Sequence, residues 1–376
     1  MAVDELPAEV DIAVVGAGLM GSAAAWAATR RGHSVALLEQ FSLGHDHGSS
    51  HGSARIVRRA YADPLYVRMT GRAFALWREL ERDSGQPLLR ITGGLDHGEP
   101  WHTDGIAAAL AEAGVPHELL AAEEAQRRWP GMRFEGRVVF HPEAGTVDAA
   151  RAMDAFVACA RRRGASVHPE SPVQRVSIAG GRARVETGGG AVTAHRVVAA
   201  CGAWTADLLA GLVPLPELTV TQQQVFHFPR RDFGADWPTA VHEGAAAHTY
   251  NLPGGRDGGP GDGRKLAEYL APDGEPTAPG DRSGVVSPAA RDRVTDYVRE
   301  WLPGLAPTPF NEATCLYTST SGADFVLDRT GPVVVCSPCS GHGAKFAPLI
   351  GEVAADLADG GQPPDPRFTL AAHSST

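Results

Sequence analysis

Lysine is almost absent from this chain. Of its 34 basic residues only Lys265 and Lys345 are lysine, so arginine serves wherever a generic positive charge will do, and each remaining lysine invites an explanation. Positive charge is not in excess either. A formal net charge of −10 disfavours a surface for nucleic acid, whose phosphates demand clustered Lys and Arg. Long apolar runs are missing: Ile12 to Val15 and Val333 to Val335 fall far short of the roughly 20 residues that cross a bilayer, so no membrane span is expected. The chain does not open on a basic region followed by an apolar run and a small-residue cleavage site, so no secretory signal is expected and the cytoplasm is the default location. Cysteine is sparse. Cys159, Cys201, Cys315, Cys336 and Cys339 are scattered apart from one pair, unlike the dense framework of a secreted scaffold, and are expected mostly as thiols. These exclusions leave a small molecule as the expected ligand, and a length of 376 residues suggests two units.

Residues 11 to 39 read as strand, glycine-rich turn, helix and strand. The run Ile12 to Val15 suits a buried parallel strand, Gly16 to Gly21 the turn, Ser22 to Arg31 an Ala-rich helix and Ser34 to Leu38 the next strand. Further helices are predicted over 65–83, 105–113, 151–163 and about 288–302, and short strands over 173–178, 182–187 and 192–199. From 217 to 250 apolar and polar positions alternate, as in TVTQQQVFHF, which fits antiparallel strands with one wet face. The Gly, Pro and Asp run from Pro253 to Gly263 reads as a loop. The chain closes as strand, glycine-containing loop and long helix.

Gly16-Ala17-Gly18-Leu19-Met20-Gly21 is a GxGxxG placed after a strand and opening a helix. Its glycines permit a tight turn and close approach of the backbone to a pyrophosphate, while the helix N-terminus offers N–H groups and positive dipole. Glu39, at the end of the second strand, can accept the hydroxyls of an adenosine ribose. The motif alone does not separate NAD from FAD. An N-terminal dinucleotide fold, a long discontinuous remainder and a second glycine loop near the C-terminus point to FAD.

Six further segments are more specific. HGSSHGSARIVRRAY at 47–61, RRWPG at 127–131, EAGTVDA at 143–149, CGAW at 201–204, TCLYT at 314–318 and SGHGAKF at 340–346 resemble, in order and spacing, the monomeric sarcosine oxidase and N-methyltryptophan oxidase family of D-amino acid oxidase-like enzymes. The resemblance implies an α/β, two-domain FAD-binding Rossmann-like fold with an inserted mixed or antiparallel-sheet substrate domain. The FAD domain would comprise 1–90, 145–216 and 325–376, and the substrate domain 91–144 and 217–324.

The resemblance also assigns residues. FAD contacts fall on Gly16, Gly18, Gly21, Met20, Glu39, Ser50, Arg55, Val173, Gly202, Trp204, Gly341, Gly343 and Lys345. Cys315 matches the cysteine that bonds the flavin 8α-methyl group, although an isolated cysteine in a strand is ordinarily an inert buried residue. Arg58 and Lys345 match a clamp for the substrate carboxylate, which a planar guanidinium can grip through two parallel bonds; Arg59 is left as background. Arg55 would lie against the flavin. His51 reads either as a polar loop residue or as a donor near the ring. Tyr317 and Tyr250 read as pocket walls or as core aromatics, and Tyr269 stands where sarcosine oxidases carry a pocket histidine. Lys265 matches a cation that activates oxygen, against the alternative of a surface lysine ending a loop.

Cys336 and Cys339 form a CxxC. It lacks the helix N-terminus of a thioredoxin-like site and the four ligands of a zinc site, so no metal is expected. By resemblance the pair are loop residues beside the flavin, with a facultative disulfide as the alternative. The implied activity is oxidation of the C–N bond of a small secondary or cyclic amino acid by a monomer, giving an imine and hydrogen peroxide from molecular oxygen. A dehydrogenase that passes electrons to a carrier and a biosynthetic cyclic-amine desaturase are the alternatives.

Overall fold

The computed structural model describes residues 5–231, 236–245, 247–259, 263–269, 274 and 276–373. The apolar run near the N-terminus becomes the strand Glu9–Val15, which pairs in parallel with Val35–Leu38 on one side and Gly190–Ala199 on the other. Ser166–His168 extends the sheet beyond Val35–Leu38, again in parallel. The hairpin strands Val173–Ala179 and Arg182–Thr187 continue it antiparallel from Gly190–Ala199, which also pairs with Val333–Ser337. Both faces of the parallel part are covered, which is why its strands are continuous apolar runs and not alternating ones.

The helix Leu19–Arg30 packs on this sheet with ten of its 12 residues buried, too many for a one-sided amphipathic pattern. Small side chains allow close approach of the C-terminal helix Ala347–Ala358: a Cβ on Gly351 would lie 2.4 Å from the Ala23 carbonyl oxygen. Helices Pro64–Ser84 and Ala149–Arg162 complete the layer, capped by Asp63 and Asp148 side chains that accept from Leu65 and Arg151 N–H.

The second large sheet runs Asn311–Ser319, Thr219–Phe228, Arg264–Glu268, His248–Pro253, Thr239–Glu243, Gly94–Gly98, Arg137–His141 and Glu118–Ala121. All its pairs are antiparallel except Thr239–Glu243 with Gly94–Gly98. Alternation decides what each face does. Phe226, Phe228 and Leu266 pack against Val294 and Val298 of the helix Pro288–Trp301, while Gln223, Val225, His227 and Lys265 face a cavity on the other side. A small third sheet, Arg55–Arg58, Ala144–Val147 and Leu89–Ile91, closes over that cavity.

The predicted helices are found at Pro64–Ser84, Pro100–Glu112, Ala149–Arg162 and Pro288–Trp301. The second begins five residues early because Pro100 opens it and Trp101 and His102 belong to its first turn, outside the Ala-rich stretch. The predicted loop from Pro253 contains a folded 3-10 turn, Gly255–Gly258, and its residues 260–262 lie outside the described residues.

The Gly351 contact yields a stability prediction. Gly351→Val should force the two helices apart and cost about 1–3 kcal/mol, the usual effect of overpacking. Urea denaturation measures it, and an unchanged midpoint would mean that the helices do not meet there.

Candidate active site

A cavity of about 1290 Å³ runs from the glycine turn, between the two large sheets, to the wet face of the second. Its first part is built by close backbone approach. A Cβ on Gly16, at φ +96°, would sit 2.5 Å from the Ala200 carbonyl oxygen, and one on Gly21 1.8 Å from that of Gly16, so neither position tolerates a side chain. Leu19 N–H donates to Ser50 Oγ at 3.0 Å, tying the helix start to the 47–54 loop. Glu39 accepts from Ala17 N–H at 2.7 Å and Phe41 N–H at 3.0 Å. Burial pushes its carboxyl up, but His45 and these two amides hold it below its ordinary value, so it stays anionic. Met20, Val173, Gly202, Trp204, Gly341 and Gly343 line the same space. An elongated cavity that starts at a side-chain-free turn, a helix N-terminus and a fixed carboxylate fits a dinucleotide.

Farther in, the walls become cationic. The Arg55 guanidinium donates to the carbonyls of Ser49 (2.9 Å), His51 (2.6 Å) and Ala54 (2.9 Å), which stiffens the loop it follows. His51 Nε2 has no hydrogen-bond partner among the described residues, and burial beside Arg55 and Lys265 pulls the imidazole down to about 4. Lys265 is 6% exposed and donates to the Ala54 carbonyl at 3.2 Å. It is therefore no surface lysine. Burial, then the Arg55 charge, pull its ammonium down to about 7, against the pull of Cys315 and Asp257. Cys315, opposite Gln223 in the sheet register, faces the cavity at 6% exposure. Burial pushes its thiol up, and Arg55 and Lys265 partly counter this.

The same cavity is lined by a second pair of cations. Lys345 Nζ donates to Tyr61 Oη and to the His342 carbonyl, both at 2.9 Å. The Arg58 guanidinium carbon lies 5.2 Å and Lys345 Nζ 5.4 Å from the centroid of the Tyr61 ring, so one phenol bridges the pair. Burial and the neighbouring Arg58 hold the Lys345 ammonium well below its ordinary value. Burial and Lys345 pull His342 down to about 3. Arg58 Nη1 also donates to Oδ1 of Asp96, a fully buried carboxylate with His102 and His141 each at 3.5 Å. Although burial pushes the Asp96 carboxyl up, Arg58 and the two histidines hold it far below the usual carboxylate range.

The structure brings Arg58, Lys345, Tyr250, Tyr269 and Tyr317 to the walls of one cavity with Lys265, Arg55, His51 and Cys315. Tyr250 and Tyr317 lie side by side on the lining, and burial pushes both phenols up. Arg59 instead pairs with Glu143 at 2.8 Å. All five cysteines are free, so Cys336 and Cys339 form no disulfide in this structure. Asp96, Tyr61, His102, His227 and Asp257 also belong to the site and were missed. His227 shares the alternation of Gln223 and Val225, a signal that could have found it.

Residues 11–357 match the DAO family, described as FAD dependent oxidoreductase. The chain belongs to this family. It is 34% identical over 375 residues to the monomeric sarcosine oxidase of Streptomyces avermitilis, covering 93% of each chain, and 31% identical over 368 residues to human peroxisomal sarcosine oxidase, covering 92% of this chain and 91% of that one. Among solved structures, NikD, an unusual amino acid oxidase essential for nikkomycin biosynthesis, superposes in its open form with a TM-score of 0.85 at 26% identity, covering 96% of this chain and 98% of that one. The resemblance read from the motifs therefore holds, as does the two-sheet FAD-binding fold. In this DAO-family oxidoreductase the Arg58 guanidinium is also anchored on Asp96, and Cys336, read as a loop residue, lies in the buried strand Val333–Ser337.

That anchor gives the second prediction. Asp96→Ala leaves Arg58 uncompensated beside Lys345 and should cost about 3–5 kcal/mol at neutral pH. Because the Asp96 carboxyl is held below its unfolded value, its stabilisation is present above that value of 3.8 and fades as pH falls. Chemical denaturation at pH 7 and at pH 3 should show a smaller gap between wild type and variant at the lower pH; an equal gap at both would exclude the ion pair as the cause.

Proposed function

We propose that this chain is an amine oxidase that removes two electrons from the C–N bond of a small secondary or cyclic amino acid, yields an imine and passes the electrons to oxygen as hydrogen peroxide. The observation that carries the reading is the grouping of its cations along a dinucleotide-sized cavity: Arg58 and Lys345 meet at Tyr61, and Lys265 and Arg55 meet at Gly52. The likeness to sarcosine oxidases supports the choice of substrate class.

Bound FAD supplies the two-electron acceptor. Held in the cavity by the glycine turn, Glu39, Ser50, Trp204 and the 341–345 loop, it would be bonded through the sulfur of Cys315, whose deprotonation Arg55 and Lys265 favour. The substrate carboxylate takes the remaining N–H groups of Arg58 and the Lys345 ammonium, each of which gains from an anion in an interior that screens charge poorly. Tyr61 holds the two cations to one spacing. Tyr250, Tyr317 and Tyr269 wall the amine end and exclude water, which keeps the amine neutral and oxidisable. His51, uncharged at neutral pH, can donate one hydrogen bond without adding to the positive field. Lys265 stabilises negative charge as oxygen takes up electrons. In this reading 1–90, 145–216 and 325–376 form the cofactor body and 91–144 and 217–324 the substrate body. The enzyme would be a cytoplasmic monomer, the latter supported by a relative named as monomeric. The likeness to NikD favours one second reading, in which the oxidised product is retained for biosynthesis.

Two measurements test the proposal. Secondary and cyclic amino acids should bleach the flavin under anaerobic conditions and give one peroxide per turnover in air, whereas the corresponding uncharged amines should do neither. The colour should also stay with acid-precipitated protein and leave it in Cys315→Ala; freely extractable FAD in the wild type contradicts the covalent bond, and bleaching without peroxide contradicts the oxidase.

A further inference from the structure

We propose that Asp257, locked in place by Ser53, is a positioning residue that favours the charged form of Lys265 beside the cofactor pocket. Asp257 belongs to the 3-10 turn Gly255–Gly258, within the stretch that links Tyr250 to Lys265. Its side chain is held from both directions: Oδ2 accepts from Ser53 N–H at 2.5 Å, and its own N–H donates to Ser53 Oγ at 3.1 Å. Ser53 is 4% exposed and Asp257 half-buried, so one end of this reciprocal pair is anchored in the interior. The carboxylate is thereby aimed at one small gap. A Cβ built on Gly52, at φ +88°, would meet Asp257 Oδ2 at 3.4 Å, Arg55 Nη1 at 3.6 Å and Lys265 Nζ at 4.0 Å. Three charged groups from three elements converge on a residue that has no side chain.

Lys265 needs such a partner. Its ammonium donates to the carbonyl of Ala54, a dipole that does not balance a buried charge. The ionisable groups that face it are Arg55 on the small sheet, His51 on the loop before it, His227 opposite it on the neighbouring strand, Cys315 on the next strand and Asp257. Arg55 repels it, and His51 and His227 are each drawn down to about 4 and carry no charge at neutral pH. A thiol that is bonded to a cofactor carries none either. Asp257 is then the one carboxylate among these groups, and its carboxyl is kept below its ordinary value, against the effect of burial, by Ser53 and the nearby cations. Loss of that carboxylate lowers the Lys265 midpoint further and moves the ammonium toward its neutral form.

The lysine content makes the test direct. Holoenzyme labelled with 13C at the lysine ε-carbon shows signals from Lys265 and Lys345 alone, and a pH titration reads each midpoint without any turnover. Asp257→Asn keeps an acceptor for Ser53 N–H and removes the charge. We expect the Lys265 midpoint to fall by about one unit or more, the size of one lost opposite charge at short range, while Lys345 stays in place. Asp257→Glu should recover part of the shift, and Ser53→Ala, which unlocks the carboxylate, should give a smaller fall in the same direction. An unmoved Lys265 midpoint in Asp257→Asn overturns the proposal. The inference for oxygen chemistry rests on the proposed role of Lys265 and is read separately: the alkaline fall in the oxygen rate should move with the midpoint. A midpoint that moves while the oxygen rate does not supports the Asp257 assignment and overturns the role of Lys265.

Discussion

Four cations line one cavity, and most of the surrounding structure exists to make that tolerable. Lys265 and Lys345 are each less than a tenth exposed, and a buried ammonium without partners would simply give up its proton. Each cation is compensated differently. Arg55 is spread over three carbonyls, Arg58 over Asp96, Lys345 over a phenol and a carbonyl, and Lys265 over one carbonyl with Asp257 nearby. The compensation is incomplete at Lys345 and Lys265, whose ammonium groups are both pulled down. An anion that enters such a site relieves the deficit, so the cost of burying these charges becomes selectivity for a carboxylate on one side and for developing negative charge on the other.

The second sheet delivers this arrangement through its period of two. Thr221, Gln223, Val225 and His227 lie opposite Tyr317, Cys315, Ala313 and Asn311, and all eight face the cavity. Intervening residues such as Phe226, Phe228 and Leu316 are buried on the other side. A slip of one residue in this register would send Cys315 and Tyr317 into the core and phenylalanines into the cofactor site. Substrate wall and cofactor attachment are therefore fixed by one ladder of backbone hydrogen bonds.

Much of this was legible in the sequence where local pattern and chemistry coincide. The glycine turn, Glu39 and the first strands follow from a buried apolar run and a need for close backbone approach, and the two lysines stood out against a chain that otherwise uses arginine. Other parts depend on distant partners. GLDHG at 94–98 has the composition of a loop, yet it is a fully buried strand because it is flanked by Thr239–Glu243 and Arg137–His141. Asp96, carried on that strand, could not be foreseen as the partner of Arg58, since only the tertiary fold brings residues 38 positions apart together. Asp257 was hidden for a similar reason: in a run of Gly, Pro and Asp an aspartate reads as turn chemistry, and its bond to Ser53 spans 204 positions.

The account divides the cations between two half-reactions, and stopped-flow kinetics of both halves in Arg58→Ala and Lys265→Met tests that division. The clamp variant should lose tens-fold or more in affinity for the amino acid during anaerobic flavin reduction, the consequence of removing about 2–5 kcal/mol of desolvated charge pairing, and keep its oxygen rate. The Lys265 variant should show the reverse: near-normal reduction by substrate and reoxidation by oxygen slowed by orders of magnitude. Impairment of the same half-reaction in both variants would contradict the division of the cavity.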